Sequence, residues 1–162
     1  MFNNDGIPTK EMIASVFPTE ERINKGPVAV IECFREIPCD PCATSCKIGA
    51  IRPFDDINDL PDISHEECTG CSACVSACPG LAIMIVDGSK SKENVIFKIP
   101  FEFSPLPEKD DIVDGLDRKG NKICNVKVLK VQNFSYQDKT PVIHVEVPRE
   151  YLYDFKNIKV VN

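Results

Sequence analysis

"CTGCSACVSACPGLAI" (Cys68–Ile83) decides the reading of this chain. Its cysteines are spaced C-x2-C-x2-C-x3-C, and Pro79 follows the last. An earlier stretch, "PCDPCATSCKIGAI" (Pro38–Ile51), repeats most of it. Cys39 falls on Cys71, Cys42 on Cys74 and Cys46 on Cys78, and Ala50-Ile51 falls on Ala82-Ile83. Such a spaced duplication is a specific internal repeat. One position breaks it. Glu36 stands where Cys68 stands in the second block, and the nearest upstream cysteine is Cys33, with five residues between it and Cys39 instead of two.

The spacing has a chemical reason. An iron–sulfur cube takes soft thiolates at its iron corners. Three cysteines two residues apart let one tight loop wrap three corners. A fourth, three residues on and followed by proline, is carried off toward a second cluster. Gly70 and the small residues Ser72, Ala73, Ser76 and Ala77 let the loop close and leave backbone N–H groups free to meet sulfur. A zinc ribbon built from Cys39/Cys42 and Cys68/Cys71 is the competing metal reading. It leaves Cys46, Cys74 and Cys78 without a purpose.

With these residues in view, the region from about Val28 to Val86 resembles the bacterial-type ferredoxins that carry two [4Fe–4S] clusters. The resemblance implies that Cys68, Cys71 and Cys74 bind cluster A with Cys46 as fourth ligand. It further implies that Cys39, Cys42 and Cys78 bind cluster B. The open corner of B falls to Cys33 from the end of its strand, or to a non-cysteine ligand such as Glu36, or stays empty in a [3Fe–4S] form, or the first block holds no metal at all. Three-iron forms usually lack the middle cysteine, and Cys39 is present, which favours Cys33. Lys47 departs from the proline usual after the fourth cysteine. "GPVAVIECFREIPCDPC" and "PLPEKDDIVDGLDRKGN" are similar, more narrowly, to the small iron–sulfur subunits of flavoprotein amine and amino-acid dehydrogenases of the proline dehydrogenase type. That likeness implies FAD- or FMN-bearing partner subunits, between which this chain relays single electrons.

Outward from the cysteines, the expected class is α+β. Residues 1–27 read as a helical arm, with Met12, Ile13, Val16 and Phe17 at helical spacing, Pro18 as a stop and Thr19 capping a second helix that ends at Gly26. Residues 28–88 form the ferredoxin-like two-cluster domain. "PVAVIEC" (Pro27–Cys33) and "LAIMIVD" (Leu81–Asp87) are its strands, and "RPFDDINDLPDI" is a polar loop between the blocks. "GSKSKEN" (Gly88–Asn94) reads as a linker. Residues 95–162 carry "VIFKIPFEF", "DIVDGLD", "KICNVKVLKVQ", "TPVIHVEV" and "NIKVV", which predict a small β barrel of SH3-like or OB-like type.

Composition narrows the function. Residues 1–90 hold 7 Lys+Arg against 14 Asp+Glu, whereas residues 91–162 hold 12 against 11. The acid lies with the cysteines, as a solvated face or as a face for a basic protein partner, and it disfavours nucleic acid. No apolar run approaches the ~18 residues of a membrane span. The first residues lack a signal-peptide pattern. Nine cysteines, eight of them between Cys33 and Cys78, suit a metal protein of the cytoplasm better than a disulfide scaffold. Cys124 and His144 read as structural, and His65 as a surface or capping residue that could touch a cluster. No Ser/His/Asp set, Walker loop or G-x-G-x-x-G is present, so no substrate site is read on this chain. The rival readings are a free-standing ferredoxin and a binding module whose clusters are structural or sensory. The latter needs a basic, aromatic-lined barrel face, which the near-neutral C-terminal part does not offer.

Overall fold

Two apolar runs without alternation, Val28–Ile31 (β1) and Ile83–Asp87 (β2), pair antiparallel with Val28 opposite Val86 and Ile31 opposite Ile83. Every residue of both strands is buried. The pleat sends alternate residues to two destinations. Val28, Val30, Met84 and Val86 enter one core, and Ala29, Ile31, Ile83 and Ile85 enter a second that also holds Cys42 and Cys74. A strand pair covered on both faces explains the unbroken apolar sequence. Each fully buried Val or Ile contributes roughly 1.5–3 kcal/mol.

The computed structural model describes residues 2–161. Helices α1 (Lys10–Val16) and α2 (Glu20–Lys25) each start on a threonine whose hydroxyl accepts a backbone N–H. Thr9 takes Met12 and Thr19 takes Arg22, both at 3.2 Å, the usual cap of orphan helix donors. Ile13, Phe17 and Ile23 seal these helices onto the first core. Two one-turn helices, α3 (Pro41–Ser45) and α4 (Ala73–Ala77), lie inside the cysteine blocks. The sequence reads them as loop, because five residues are too few to display a helical period. Among the described residues no helix is long and apolar enough to cross a membrane.

The remaining strands are β3 (Asn94–Pro100), β4 (Ile112–Leu116), β5 (Lys122–Gln132), β6 (Val142–Pro148) and β7 (Asn157–Lys159). All seven strands form one sheet in the order β1-β2-β3-β6-β5-β4-β7, with every pairing antiparallel. The expected closed barrel, SH3-like or OB-like, is therefore corrected to an open sheet in an α+β chain. The reason is an edge already in use. Closure needs a free edge on β3, but β3 gives one edge to β6 and the other to β2, with Ile85 opposite Lys98 and Asp87 opposite Ile96. The sheet still curls, helped by register shifts at Gly115/Leu116 and at Val128/Lys130. Phe101, Phe103, Leu116 and Ile158 consequently line one cleft. Residues 88–93 connect β2 to β3, and the Arg149 guanidinium donates to Gly88 O, Ser91 O and Asn24 Oδ1 to hold the turn. Cys124 on β5 sits opposite Gly115 and packs half-buried against the first core.

His144 on β6 lies opposite Lys98 and Lys130, and its Nε2 is 2.6 Å from Gln132 Oε1. Burial, then the Lys98 and Lys130 charges, pull its pKa down to about 4. An unfolded chain binds that proton near pH 6.5. The folded state is thus favoured in full above pH 6.5, and that share of stability is lost as pH falls toward about 4. We expect the urea midpoint to drop between pH 7 and pH 5, and a His144→Gln variant to show a smaller drop. Equal drops in both proteins would count against His144.

Candidate metal centres

Each cysteine block wraps a short helix. Cys42 lies in α3 and Cys46 caps its C-terminus, and Cys74 and Cys78 stand in the same relation to α4. Four residues of helix advance about 6 Å, so the last cysteine of each block leaves the loop that holds the others. The result is a crossing. One cavity is lined by Cys68, Cys71 and Cys74 together with Cys46 of the first block. The other is lined by Cys33, Cys39 and Cys42 together with Cys78 of the second. We call these cavities A and B. Strand β1 lines both, through Ala29 in A and Ile31 in B.

Cys33 follows the end of β1 and reaches cavity B, whereas Glu36 is exposed and absent from its wall. Ile57 O accepts the Cys39 N–H at 3.0 Å, which folds the 52–63 loop over B and sets Asp59 and Pro61 on its rim. The zinc pairing is not assembled, since Cys39/Cys42 and Cys68/Cys71 line different cavities. Among the described residues no group of three or more His, Cys, Asp or Glu gathers tightly enough for a single metal ion. The thiols ring a space, as a polynuclear group requires.

The electrostatics fit such a group. Burial pushes the Cys74 thiol up to about 12, with Cys68, Cys71 and Cys46 adding repulsion. Burial likewise pushes Cys42 up to about 11, where Cys78, Cys39 and Cys33 are the neighbouring thiols. Cys74 and Cys42 thus resist ionising alone, and bound iron would hold the thiols of each cavity as thiolates. Backbone donors already face sulfur. Ala29 and Gly70 N–H groups donate to Cys68 Sγ, Ile51 to Cys46 Sγ and Ala82 to Cys78 Sγ, each at 3.4 Å. Ser72 lines cavity A, and its Oγ is buried without a partner among the described residues. An orphaned hydroxyl costs about 1–3 kcal/mol, and sulfur in the cavity would accept from it.

Gly70 makes the cavity A loop possible. Its φ is +66°, and a Cβ there would stand 2.5 Å from Pro27 Cβ and 2.8 Å from the Pro27 carbonyl carbon. Gly70→Ala combines left-handed strain with overpacking, a loss of about 3 kcal/mol. Thermal melts of the iron-loaded variant should fall accordingly, and an unchanged melt would contradict the close approach.

Two charged contacts escape a reading of the sequence. Arg22 is 7% exposed and donates Nε to His65 O (2.7 Å), Nη1 to Gly26 O (3.0 Å), and Nη2 to Pro27 O (3.2 Å) and Cys68 O (2.7 Å). It pins the N-terminal arm to the cavity A loop. Its only sequence cue is a charge beside Ile23 on a short helix. The second contact is a buried cluster in which Arg118, from the β4–β5 turn, grips Glu32 beside Cys33, and Lys156 Nζ approaches Glu32 at 3.4 Å. His65 lies half-buried outside both cavity walls, with burial and then Arg22 lowering its pKa.

The comparisons agree with this chemistry. The 4Fe-4S binding domain family model matches residues 61–84. A subunit of the ion-translocating oxidoreductase complex of Methanosarcina acetivorans is 45% identical over 47 residues, which are 29% of this chain and 17% of that relative. The chain therefore spans less than a fifth of the relative's length. No solved structure matches. The matches support a ferredoxin-type segment, 4Fe–4S binding and iron–sulfur electron transfer.

Proposed function

We propose that this chain is the electron-transfer subunit of an oxidoreductase complex and carries two [4Fe–4S] clusters. Cluster A is held by Cys46, Cys68, Cys71 and Cys74, and cluster B by Cys33, Cys39, Cys42 and Cys78. The observation that carries this reading is the crossed pair of four-thiol cavities, with one cysteine of each block lining the other block's cavity. When bound, each cluster supplies one-electron storage on iron. The protein's part is to hold both close together, with Ala29, Ile31, Ile83, Ile85 and Val75 filling the apolar core that both sets of thiols share. Backbone N–H groups stabilise the charge on sulfur.

Residues 1–27 and 95–162 bear no cluster cysteines in this reading and serve as docking surface around the 28–88 domain. The partners are flavoprotein subunits carrying FAD or FMN, with the acidic cysteine-bearing half facing a basic surface. The relative's name, which places it in an oxidoreductase complex, supports the subunit role. All nine cysteines are free thiols, which suits the reducing cytoplasm. Anaerobic purification tests the reading. About eight irons and eight sulfides per chain, with a coupled EPR spectrum after dithionite, are expected. A chain without iron would overturn it, and native isolation that recovers no flavin-containing chain would remove the flavoprotein partner.

A further inference from the structure

The two blocks are repeats, but their surroundings differ. Residue 72 aligns with residue 40, and one is serine where the other is aspartate. Ser72 is 8% exposed with φ +74° and lines cavity A, and its Oγ is buried without a partner among the described residues. Asp40, half-buried beside Cys39, brings negative charge instead of a donor. Backbone N–H groups meet sulfur in both cavities, from Ala29, Gly70 and Ile51 in A and from Ala82, Arg35 and Ala43 in B, so the difference between the sites lies in side chains. Cations also back onto the A loop, where Lys98 Nζ donates to Gly70 O at 3.3 Å and Arg22 donates to Cys68 O. Beside B, Arg118 and Lys156 close on Glu32. Cys71 of the A set is the exposed one among the eight cysteines.

Donors to sulfur, positive charge and exposure to water all stabilise the more negative, reduced state of an iron–sulfur cluster. At A they act in one direction. We propose that Ser72, backed by Lys98, holds the reduction potential of site A above that of site B, so that the first electron given to the chain rests at A. This rests on the two-cluster reading above. One electron enters from the reductant, no bond forms or breaks, and no proton need move. The Ser72 hydroxyl donates to sulfur throughout, more strongly when the added charge is present.

The test is an EPR-monitored redox titration of the full iron-loaded chain with dithionite, together with iron counts. The parent protein should show two one-electron steps. In Ser72→Ala the more positive step should move down by about tenfold in occupancy, which is 59 mV for one electron, while the other step stays. Lys98→Gln should move the same step the same way by less, and Asp40→Asn should raise the less positive step. Lys98 lies outside the cysteine loop, so its variant decides the matter if Ser72→Ala does not retain iron. With about eight irons present, movement of the less positive step in Ser72→Ala or Lys98→Gln, or of neither step, overturns the ordering and leaves the two-cluster reading intact. About four irons in every protein, parent included, overturns the two-cluster reading and the ordering with it.

Discussion

Replacing Cys33 with alanine should cost the chain one of its two cubes. Iron should fall from about eight per chain to at most about seven if a three-iron remnant survives, and to about four if site B empties. Cys33 lies two residues past the end of β1, which is fixed by its pairing with β2 and by burial on both faces. The Glu32 N–H between them still donates to Ala82 O at 2.9 Å, so the segment that carries the thiol is anchored to the strand pair. Burial first, then the nearby Cys78 and Cys39 sulfurs, raise its pKa. Glu36 is exposed and off the cavity wall, so no carboxylate stands ready to replace it. The A set shares no member with B, and the EPR signal of A should persist in the variant. Two unaltered cubes in Cys33→Ala, or an oxidised three-iron signal in the parent protein, would remove Cys33 from the site.

The second large effect belongs to Arg118. Its Nε donates to Glu32 Oε2 at 3.0 Å, its Nη2 to Glu32 Oε1, and its Nη1 to Tyr153 O at 2.6 Å. The two charged side chains are 7% and 5% exposed. Burial pushes the Glu32 carboxyl up, but the Arg118 hydrogen bond and the Lys156 and Arg118 charges outweigh it and hold the group below its usual range. Arg118→Ala leaves a buried carboxylate with Lys156 alone, a loss of about 3–5 kcal/mol. For a chain of this size that is a fall of about 10 °C in Tm. Glu32→Gln/Arg118→Met/Lys156→Met removes all three charges of the cluster and should recover much of the loss. A single variant melting within about 2 °C of the parent, less than about 1 kcal/mol, would mean that water or Lys156 already satisfies Glu32.

Much of the site was legible because ligand spacing is a local property. Cys68, Cys71 and Cys74 lie close together in one block, and the repeat pairs Cys71 with Cys39 and Cys74 with Cys42 while leaving Glu36 opposite Cys68. The threonine caps at Thr9 and Thr19 and the unbroken runs of β1 and β2 are local too. What escaped is non-local. Alternation in Asn94–Pro100 tells which face of β3 is buried, since Val95, Phe97 and Ile99 point inward. It does not tell which strand takes each edge, so β2 could not be foreseen as the neighbour that opens the barrel. Glu32 and Arg118 lie 86 positions apart, and neither is marked in sequence as waiting for the other. Ser72 looked like one more small residue that lets a loop close. Its stranded hydroxyl is visible only once the cavity is.

The ladder that runs from β1 through β2 into β3 also governs recruitment. Partners often join a protein by adding a strand to a bare sheet edge. Here β2 is flanked on both sides, and on β1 the Ala29 amide is turned toward Cys68 Sγ. β1 is an edge strand of the sheet, so this spent amide narrows the backbone it offers for strand exchange with other chains, a hazard of exposed edges. In the proposed electron-transfer role, a partner would meet this end of the molecule through side chains and loops, contacts that release after an electron has passed.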